Sequence, residues 1–547
     1  MFFNSYSFIF VFLPITLIVL LVISKRGYYR SSISWLVMAS LFFYGWWNPI
    51  YLGLILCSIL LNYTVGTALS VNKLRFPKKW ILIAGITANL GLLGYFKYAN
   101  FFINNWNLAF STNFHLNKII LPLAISFFTL QQISYLVEAY YGKVRGNSFL
   151  NYCLFVTFFP QLIAGPIVYQ NEMLPQYGKD WMCRLNHKHI AVGLTVFSIG
   201  LFKKVVIADN IAIFASPLFS AAEKGIVITI FEAWGGALAY TFQLYYDFSG
   251  YSDMAIGLAQ MFGIYLPLNF YSPYKANNII EFWRRWHITL SRFLKNYLYI
   301  PLGGNRNGRL RQYTNLMITM LIGGLWHGAN WTFVVWGALH GFYLIVNHGW
   351  HKLRSGLLGH DLNKSTWFGR GTARIVTFFA LVVGWVFFRA ESLDGAMNIL
   401  SAMFGGNGIS LPMSLHGKLN IPEPWLTALG FTFGDMFSHN NIFGNLSGSL
   451  DFLTGSHPSV GILYIVLLLI FTWLAPNTQQ FMTYEKPALE TYRGKQSKDI
   501  YQRKQNNWYV GLFFWKPTII WAILVFLCIL CSVNSLSAPS EFLYFQF

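Results

Sequence analysis

The chain has 547 residues, of which 55% are hydrophobic, 19% aromatic and only 11% charged. Its apolar residues fall in stretches long enough to cross about 30 Å of hydrocarbon, which excludes a soluble protein and indicates a polytopic α-helical membrane protein. The formal net charge is +20. The basic residues lie in short loops between apolar runs, where they set membrane topology, so we do not expect nucleic acid as a partner.

The first predicted span covers about residues 5–24, and no cleavage site of a signal peptide follows it. Apolar runs near 32–47 and 49–70 predict the next two helices, and the last span is predicted at about 511–534. The basic loops are 25–30, 73–79, 351–374 and 486–504. Because basic loops stay on the cytoplasmic side, both the N-terminus and the C-terminus are predicted outside.

The interval 281–313 does not read as a simple span. It carries seven basic residues interleaved with aromatic and aliphatic ones, which predicts an amphipathic interfacial or re-entrant helix. The glycines within 303–308 predict a turn at its end. Since non-helical backbone at membrane depth needs cover from protein or from a water-filled cavity, we expect a polar tunnel inside the bundle.

No internal repeat and no separate soluble domain is visible, so residues 1–547 predict a single membrane domain. The interval of about 405–460, rich in Gly, Ser and Asn, predicts an extracytoplasmic loop between two spans. About 511–547 is then the last transmembrane helix followed by an external aromatic motif. Five cysteines make no metal-ligand spacing, and we expect neither a structural disulfide nor a metal site.

Several sequence blocks together resemble one family. The blocks lie at 94–98, 121–127, 160–166, 246–253, 282–287 (FWRRWH), 302–306 (LGGNR) and 323–331 (GGLWHGANW). They are similar to the signature blocks of the membrane-bound O-acyltransferases, and within that family to the bacterial branch concerned with alginate O-acetylation. The resemblance covers residues 1–400 in order. It implies an all-α transmembrane bundle with re-entrant or interfacial helices around a central tunnel.

The resemblance implies an enzyme that moves an acyl group, expected to be acetyl, across a bacterial cytoplasmic (inner) membrane. The expected donor is a cytoplasmic thioester such as acetyl-CoA, with no cofactor that stays bound. The expected acceptor is an extracellular or periplasmic polysaccharide or peptidoglycan, and membrane lipid and a secreted acetyltransferase are the expected partners. Two other classes stay open, namely a transporter that uses His327 as a proton relay and a structural recruiter of the acetyltransferase.

The resemblance implies that His327 is the catalytic histidine and that His287 is a second important polar residue. A neutral imidazole can take the proton from an acceptor hydroxyl as it attacks an acyl carbonyl, and burial favours the neutral form. No Gly-x-Ser-x-Gly nucleophile elbow is present, so direct transfer with His327 as base is simpler than a serine acyl-enzyme. Alternatively, His327 only forms a hydrogen bond between helices, and His287 lies at the membrane interface without a chemical role.

Other polar residues in these blocks are candidates for binding substrate or lining the tunnel. They are Arg284, Arg285, Asn305, Asn330, Trp331, Asp247, Ser249 and Asp253. The two arginines suit donor phosphates or lipid headgroups, Trp331 suits core packing as well, and the polar cluster at 247–253 can instead bridge helices. His340 is expected to satisfy a carbonyl within the bundle, and its spacing from the other histidines matches no zinc motif.

The C-terminal sequence 541–547, EFLYFQF, is strongly aromatic. It is similar to the C-terminal motif, with its tyrosine, of the small membrane partner in teichoic-acid D-alanylation systems. This similarity implies that Tyr544 receives the acyl group with His327 as base and hands it to an external transferase. The alternative is an aromatic anchor at the membrane interface.

Overall fold

The computed structural model describes residues 1–71, 76–117, 119–144, 148–177, 186–361, 366–412, 424–425, 431–434, 458–489, 514–536 and 542–543. Within these residues the chain is almost entirely helical, which confirms the predicted all-α class. The α-helices are α1 Leu13–Lys25, α2 Tyr29–Gly45, α3 Ile50–Ser70, α4 Lys78–Leu93, α5 Ala99–Phe110, α6 Ile125–Tyr140, α7 Phe149–Thr157, α8 Phe159–Leu162, α9 Gln170–Met173, α10 His187–Phe202, α11 Asp209–Glu223, α12 Ile230–Met261, α13 Ile279–Trp283, α14 Ile288–Leu294, α15 Gly308–His327, α16 Trp331–Lys352, α17 Trp367–Arg389, α18 Leu393–Met403, α19 Pro458–Leu474, α20 Thr478–Phe481 and α21 Ile519–Asn534.

Short irregular elements join these helices. They are π-helical turns at Ser7–Phe12, Gly94–Tyr98, Lys203–Ala208, Lys295–Tyr299 and Leu353–Leu357, and 3-10 turns at Leu174–Gln176 and Pro273–Lys275. Two strands, β1 Ile409–Pro412 and β2 Phe431–Gly434, pair in parallel, with Ile409 opposite Phe431. The sequence analysis did not foresee this strand pair. It assigned the interval 405–460 to a loop from its content of Gly, Ser and Asn, although apolar residues alternate with others at 409–415 and 429–433.

Among the described residues, five helical stretches are long and apolar enough to cross a membrane. They are Ser7–Lys25, Ile50–Ser70, Lys78–Phe110, His187–Glu223 and Trp367–Arg389. Shorter apolar helices cover Gly461–Leu474 and Ile519–Asn534. The last helix begins later than the predicted residue 511, since Pro517 precedes it and proline disfavours helical backbone in the residue before it.

Helix α12 forms the centre of the described bundle. Every residue from Ala239 to Met261 is buried, as expected of a helix that is surrounded by other helices on all sides. Its first turn is held by a capping box, in which the Thr229 amide donates to the Glu232 carboxylate over 2.8 Å. The polar residues that α12 carries are therefore interior residues, and each needs a partner within the protein.

Glycines allow the helices around the centre to approach closely. A Cβ on Gly250 of α12 would lie 2.7 Å from the carbonyl oxygen of Gly200 on α10, so only hydrogen fits at this crossing. On the hairpin of α15 and α16, a Cβ on Gly324 would overlap the carbonyl oxygen of Phe333. This close crossing sets the position of His327, which is the last residue of α15.

The helical elements between α12 and α15 are all short, namely the 3-10 turn Pro273–Lys275, α13, α14 and the π-helical turn Lys295–Tyr299. This agrees with the expectation that most of the interval 281–313 is not a span. The predicted turn is present, with positive φ angles at Gly303, Gly304 and Gly308. Residues 308–313 were included in the predicted interfacial or re-entrant segment, but they form the first turns of α15, because the helix begins directly after the glycine turn.

Candidate active site

His327 ends α15 and lies on the wall of an internal cavity. His327 is only 4% exposed, and the cavity has a volume of about 430 Å³. The rest of the wall consists of Phe2, Trp47, Lys97, residues 121–127, Ile163, Ala164 and Trp326. The ionisable side chains on this wall are His327 and Lys97. The cavity is thus a largely apolar space that presents one imidazole and one amine.

Three aromatic rings orient the His327 imidazole. The ring centroids of Trp326, Trp336 and Phe388 lie 5.0, 5.2 and 5.1 Å from the imidazole centroid, and all three meet it edge to face. Such packing restricts the ring without consuming its polar nitrogens. The preferred orientation of the imidazole is therefore set by the protein before any substrate enters.

Two side chains from the Gly94–Tyr98 turn hold the C-terminal end of α15. The Lys97 amine donates to the carbonyl oxygens of Trp326 and His327 over 2.6 and 3.0 Å, and the Tyr98 hydroxyl donates to the carbonyl of Leu325 over 2.7 Å. The last carbonyls of a helix have no partner within the helix, and a cation is favourable at its negative end. Lys97 and Tyr98 therefore lock the turn that carries the catalytic candidate.

His287 lies beside His327, with ring centroids 6.3 Å apart. It caps α14 from the left-handed region, with φ at 41°, and only 1% of the residue is exposed. Its Nδ1 is 3.0 Å from Oδ1 of Asn269, and the Thr289 hydroxyl lies 3.0 Å from the same oxygen. The fold thus brings the two predicted histidines together from separate elements, α14 and α15.

The hydrogen bonds of Asn269 define the tautomer of His287. Because Thr289 donates its hydroxyl hydrogen to Oδ1 of Asn269, that atom acts as an acceptor, and Nδ1 of His287 must carry the proton in their shared bond. Burial lowers the pKa of His287 to about 3, so the ring is neutral in ordinary buffers. Its lone pair then lies on Nε2, which can accept a proton or a hydrogen bond.

The two arginines of the FWRRWH block have different surroundings. Arg285 is 1% exposed, forms an ion pair with Glu281 over 2.6 Å and donates to the carbonyl of Tyr271 over 3.2 Å. Arg284 is exposed. The buried Arg285 therefore links Tyr271 and Glu281 within the connection between α12 and α14. Arg284, by contrast, is available to lipid headgroups or other anions at the surface.

Three candidates, Asn330, Trp331 and Asn305, are not part of the cavity wall. Asn330 caps α16 by accepting from the Thr332 amide over 3.3 Å, and its own amide donates to the carbonyl of Glu391 over 2.7 Å. Trp331 is half exposed, and its indole donates to Asn105 over 2.8 Å. Asn305 is exposed on the glycine turn. These side chains shape the ends of helices and do not line the cavity.

The polar cluster on α12 is buried and bridges elements. Asp253 pairs with Lys203 over 2.6 Å and accepts from the Thr478 hydroxyl over 2.6 Å, which ties α12 to the π-helical turn and to α20. Asp247 pairs with Lys204. The hydroxyl of Ser249 is buried and has no hydrogen-bond partner among the residues that the structure describes. Asp253 thus has the bridging role that was the alternative to substrate binding.

His340 lies in an aromatic enclosure behind the site. Its ring is 4.7 Å from the Trp336 ring and 5.2 Å from the Trp283 ring, measured between centroids. The expected carbonyl partner is missing within the described part of the chain, where neither ring nitrogen has a hydrogen bond. In that same part, no three His, Cys, Asp or Glu residues are grouped so that they could hold a metal ion.

The predicted relay residue, Tyr544, lies outside the described residues. The two residues before it, Phe542 and Leu543, are described and are only 3% and 6% exposed. Phe542 packs against Phe248, whose ring in turn meets the His287 ring edge to face at 4.8 Å. The beginning of the aromatic C-terminal motif is therefore inside the bundle and one ring away from His287.

Lys97 and Asn269 were not recognised as site residues from the sequence. Lys97 is the only charged residue between Trp80 and Phe110 in an otherwise uncharged stretch, and an intramembrane charge is a usable indication of function. Asn269 lies in an ordinary polar position of Pro267-Leu268-Asn269-Phe270, and nothing in its spacing from His287 indicates that they meet. Contacts of this kind depend on the tertiary fold.

Comparison with known proteins agrees with this architecture. The model of the membrane-bound O-acyltransferase family matches residues 46–381. Over 438 residues the chain is 48% identical to the peptidoglycan O-acetyltransferase of Helicobacter pylori, which covers 75% of this chain and 81% of that protein. Over 415 residues it is 41% identical to the probable alginate O-acetylase of Pseudomonas putida, with 74% and 80% covered.

A more distant relative is the teichoic acid D-alanyltransferase of Streptococcus thermophilus, 27% identical over 244 residues, which is 42% of this chain and 57% of that protein. The family match spans more than half of the chain and includes both histidines. With its several apolar helices, the protein is a multi-pass membrane O-acyltransferase. The chain belongs to the membrane-bound O-acyltransferase family.

Proposed function

We propose that the protein transfers acetyl groups from a cytoplasmic thioester such as acetyl-CoA toward the hydroxyl groups of an extracytoplasmic polymer. The observation that carries this proposal is the position of His327 on the cavity wall, beside His287 and next to a turn held by Lys97. The relatives named for peptidoglycan and alginate O-acetylation support acetyl as the acyl group.

In the proposed transfer, His327 acts as the general base. It takes the proton of an acceptor hydroxyl while the hydroxyl oxygen forms a bond to the thioester carbonyl carbon. The carbon–sulfur bond then breaks, and the departing thiolate takes this proton from the His327 imidazolium and leaves as a thiol, which regenerates the neutral base. The wall of the cavity is largely apolar, which keeps competing water away from the acyl group.

His287 has a supporting role in the same step. Its Nδ1–H bond to Asn269 holds the ring in one orientation, so the Nε2 side can accept a hydrogen bond from the acceptor hydroxyl or from a water molecule. The two imidazoles are close neighbours, with centroids 6.3 Å apart, and His327 is the one on the cavity wall. We therefore assign His287 to positioning of the acceptor and His327 to the proton transfer.

The acceptor hydroxyl that we propose for the first step is the phenol of Tyr544. The buried positions of Phe542 and Leu543 support this proposal, since one residue spans only about 3.8 Å between Cα atoms. Tyr544 becomes an acetyl ester in this step. A second step moves the acetyl group to a polymer hydroxyl, breaks the bond between the acetyl carbon and the phenol oxygen, and returns the proton to the phenol.

The second step needs a partner at the outer face, and we propose a secreted acetyltransferase for it. The protein then resides in a bacterial inner membrane with both termini outside. We propose peptidoglycan or an exopolysaccharide as the final acceptor, in line with the named activities of the two relatives. Residues of the interval 405–460 are the proposed extracytoplasmic insertion near which such a partner would act.

The test is the amount of ester-linked acetate on isolated cell-wall and secreted polymers. Cells carry the wild type, His327→Ala, Tyr544→Phe or, as a matched control, a variant of an exposed histidine, His360→Ala. Membrane levels of the protein are matched between strains. We expect loss of acetate from one polymer with His327→Ala and with Tyr544→Phe, and wild-type acetate with His360→Ala.

The outcomes separate the parts of the proposal. Full acetate with His327→Ala would refute acyl transfer through this histidine and favour a recruiting role for the protein. Full acetate with Tyr544→Phe, together with loss in His327→Ala, would reject the relay and leave the base assignment intact. Proton flux in proteoliposomes without any acyl transfer would support the transporter class instead.

A further inference from the structure

Three contacts seat the beginning of the C-terminal motif on helix α12. The Phe542 ring stacks on Tyr251 with centroids 4.7 Å apart and planes inclined by 30°, and it meets Phe248 at 5.6 Å. The backbone amide of Leu543 donates to Oδ2 of Asp247 over 3.1 Å. Asp247, Phe248 and Tyr251 lie within about one turn of the helix, so they form one continuous surface, which we call the tail slot.

The carboxylate in the tail slot is a buried charge that is compensated by an ion pair. Asp247 is 1% exposed and Lys204, its ion-pair partner, is 4% exposed. Lys204 also pairs with Asp209 over 2.9 Å. A buried charge persists only where other charges and hydrogen bonds compensate its lost hydration. Lys204 contacts Oδ1 of Asp247, and the second oxygen, Oδ2, faces the backbone of the tail.

The tail slot is in direct contact with the candidate active site. Phe248 packs on Phe542 from one side and on the His287 imidazole from the other. On the neighbouring side, the Phe3 ring stacks on Tyr251 at 4.8 Å, and Phe2 lines the cavity that contains His327. A peptide that occupies the slot therefore contacts Phe248, which contacts the His287 ring, and Tyr251, which contacts Phe3 next to the cavity-lining Phe2.

We propose that the tail slot is a docking site for the aromatic C-terminal segment of this same chain, and that Asp247 is its positioning residue. The aromatic rings provide binding surface, and the Asp247 carboxylate selects the backbone register by accepting one defined amide. The proposal rests on the proposed function, because the purpose of docking is to bring an acyl acceptor to His327. Asp247 acts through the tail and takes no part in proton transfer.

Docking is measured without any acyl transfer by photo-crosslinking. A phenylalanine analogue with a diazirine group replaces Phe542 in the full-length protein, and the crosslinked peptide is mapped by mass spectrometry. We expect the crosslink on the α12 peptide that contains Tyr251. In the Asp247→Asn background its yield should fall about tenfold, which is the scale of a hydrogen bond to a charged group.

Asp209→Asn is the matched control. It also removes one carboxylate from Lys204, but the Leu543 amide donates to Asp247, so the crosslink yield should stay at the wild-type level. Tyr251→Leu removes the stacking surface and serves as a second variant if Asp247→Asn does not fold. A crosslink that maps elsewhere, or equal yields with Asp247→Asn and the wild type, would overturn the proposal.

Polymer-bound acetate is measured in the same strains to separate docking from catalysis. Acetate should fall together with the crosslink in Asp247→Asn. If the crosslink depends on Asp247 but no strain transfers acetyl groups, the docking stands and the proposed function fails. If acetate depends on His327 while the crosslink does not map to α12, the acyl transfer stands and the docking proposal fails.

Discussion

At the scale of single residues, the site is built by side chains that hold other groups in place. Lys97 and Asn269 have no role in proton transfer in our proposal, yet they hold the turn of His327 and the ring of His287. Asp247 holds the backbone of the C-terminal segment in the same way. Each contact joins residues that are separated in sequence. Replacing one of these supporting residues is therefore expected to displace a group elsewhere in the sequence.

Replacing Lys97 by methionine should reduce polymer-bound acetate several-fold at matched protein level. The variant keeps the length of the side chain but removes the hydrogen bonds to the carbonyls of Trp326 and His327, each of which contributes about 1.5–3 kcal/mol when the donor is charged. Lys79→Met, on the exposed start of α4, is the control and should have wild-type activity. Undiminished acetate with Lys97→Met would disprove the holding role.

The stability of the protein should decrease on acidification, and His287 should account for part of this decrease. Its pKa is lowered by burial from 6.5 to about 3, so between these values the unfolded chain binds a proton that the folded protein does not. The free energy of unfolding therefore falls as the pH drops below about 6.5.

His287→Asn tests this prediction, since asparagine tolerates the left-handed backbone of residue 287. Its melting temperature in detergent should fall less between about pH 7 and pH 5 than that of the wild type. His115→Asn, a change of an exposed histidine, should leave the wild-type pH dependence in place. Equal acid sensitivity of His287→Asn and wild type would show that His287 takes up its proton while folded.

Sequence patterns identify the candidate catalytic residues better than the residues that hold them in position. His327 and His287 stand in blocks whose composition is unusual for a membrane segment, and their ring centroids lie 6.3 Å apart in the structure. By contrast, Asn330 and Trp331 belong to the same block as His327 but point into helix-end contacts. Adjacency in sequence at the end of a helix does not mean adjacency in space, because successive side chains face different directions.

At the scale of elements, the hairpin of α15 and α16 controls where His327 lies. The two helices cross at Gly324 and Gly337, where a side chain on either residue would collide with the backbone of the other helix. The sequence analysis predicted neither of these two helices nor their crossing point, because such a crossing depends on the tertiary fold. Likewise, the break of 281–313 into short helices follows from tertiary contacts such as the bond between His287 and Asn269.

Gly324→Ala should destabilise the hairpin by about 1–3 kcal/mol, as expected for overpacking at a close backbone contact. Gly349→Ala is the matched control on α16, because nothing lies within 4 Å of a Cβ placed there. The measurement is thermal aggregation of the purified proteins in detergent. We expect a lower midpoint for Gly324→Ala only, and equal midpoints would show that the crossing can open to accept a methyl group.

At the scale of the whole molecule, the structure brings the two ends of the described chain together. The Tyr6 hydroxyl donates to the carbonyls of Val533 and Leu536 over 3.1 and 3.3 Å, so the start of the first span and the end of the last helix lie at one end of the bundle. That both termini lie on one side of the membrane stays a prediction from the basic loops. The charge pattern, and not the packing, indicates which side that is.

Reporter fusions test this topology. Alkaline phosphatase, which is active only outside the cytoplasm, should be active when it is fused to either terminus. A fusion within the basic interval 351–361 should be inactive and serves as the internal control. Activity at one terminus only would contradict the shared side, and activity at neither would invert the predicted orientation.

The seating of Leu543 on Asp247 also determines how the C-terminal segment competes with outside molecules. A segment that belongs to the same polypeptide has a local concentration on the order of millimolar at its slot, and this value does not depend on how much protein the cell makes. A free peptide of the same sequence at micromolar concentration would be displaced. The ratio of C-terminal segments to tail slots is therefore one to one in every copy of the protein, whatever the level of gene expression.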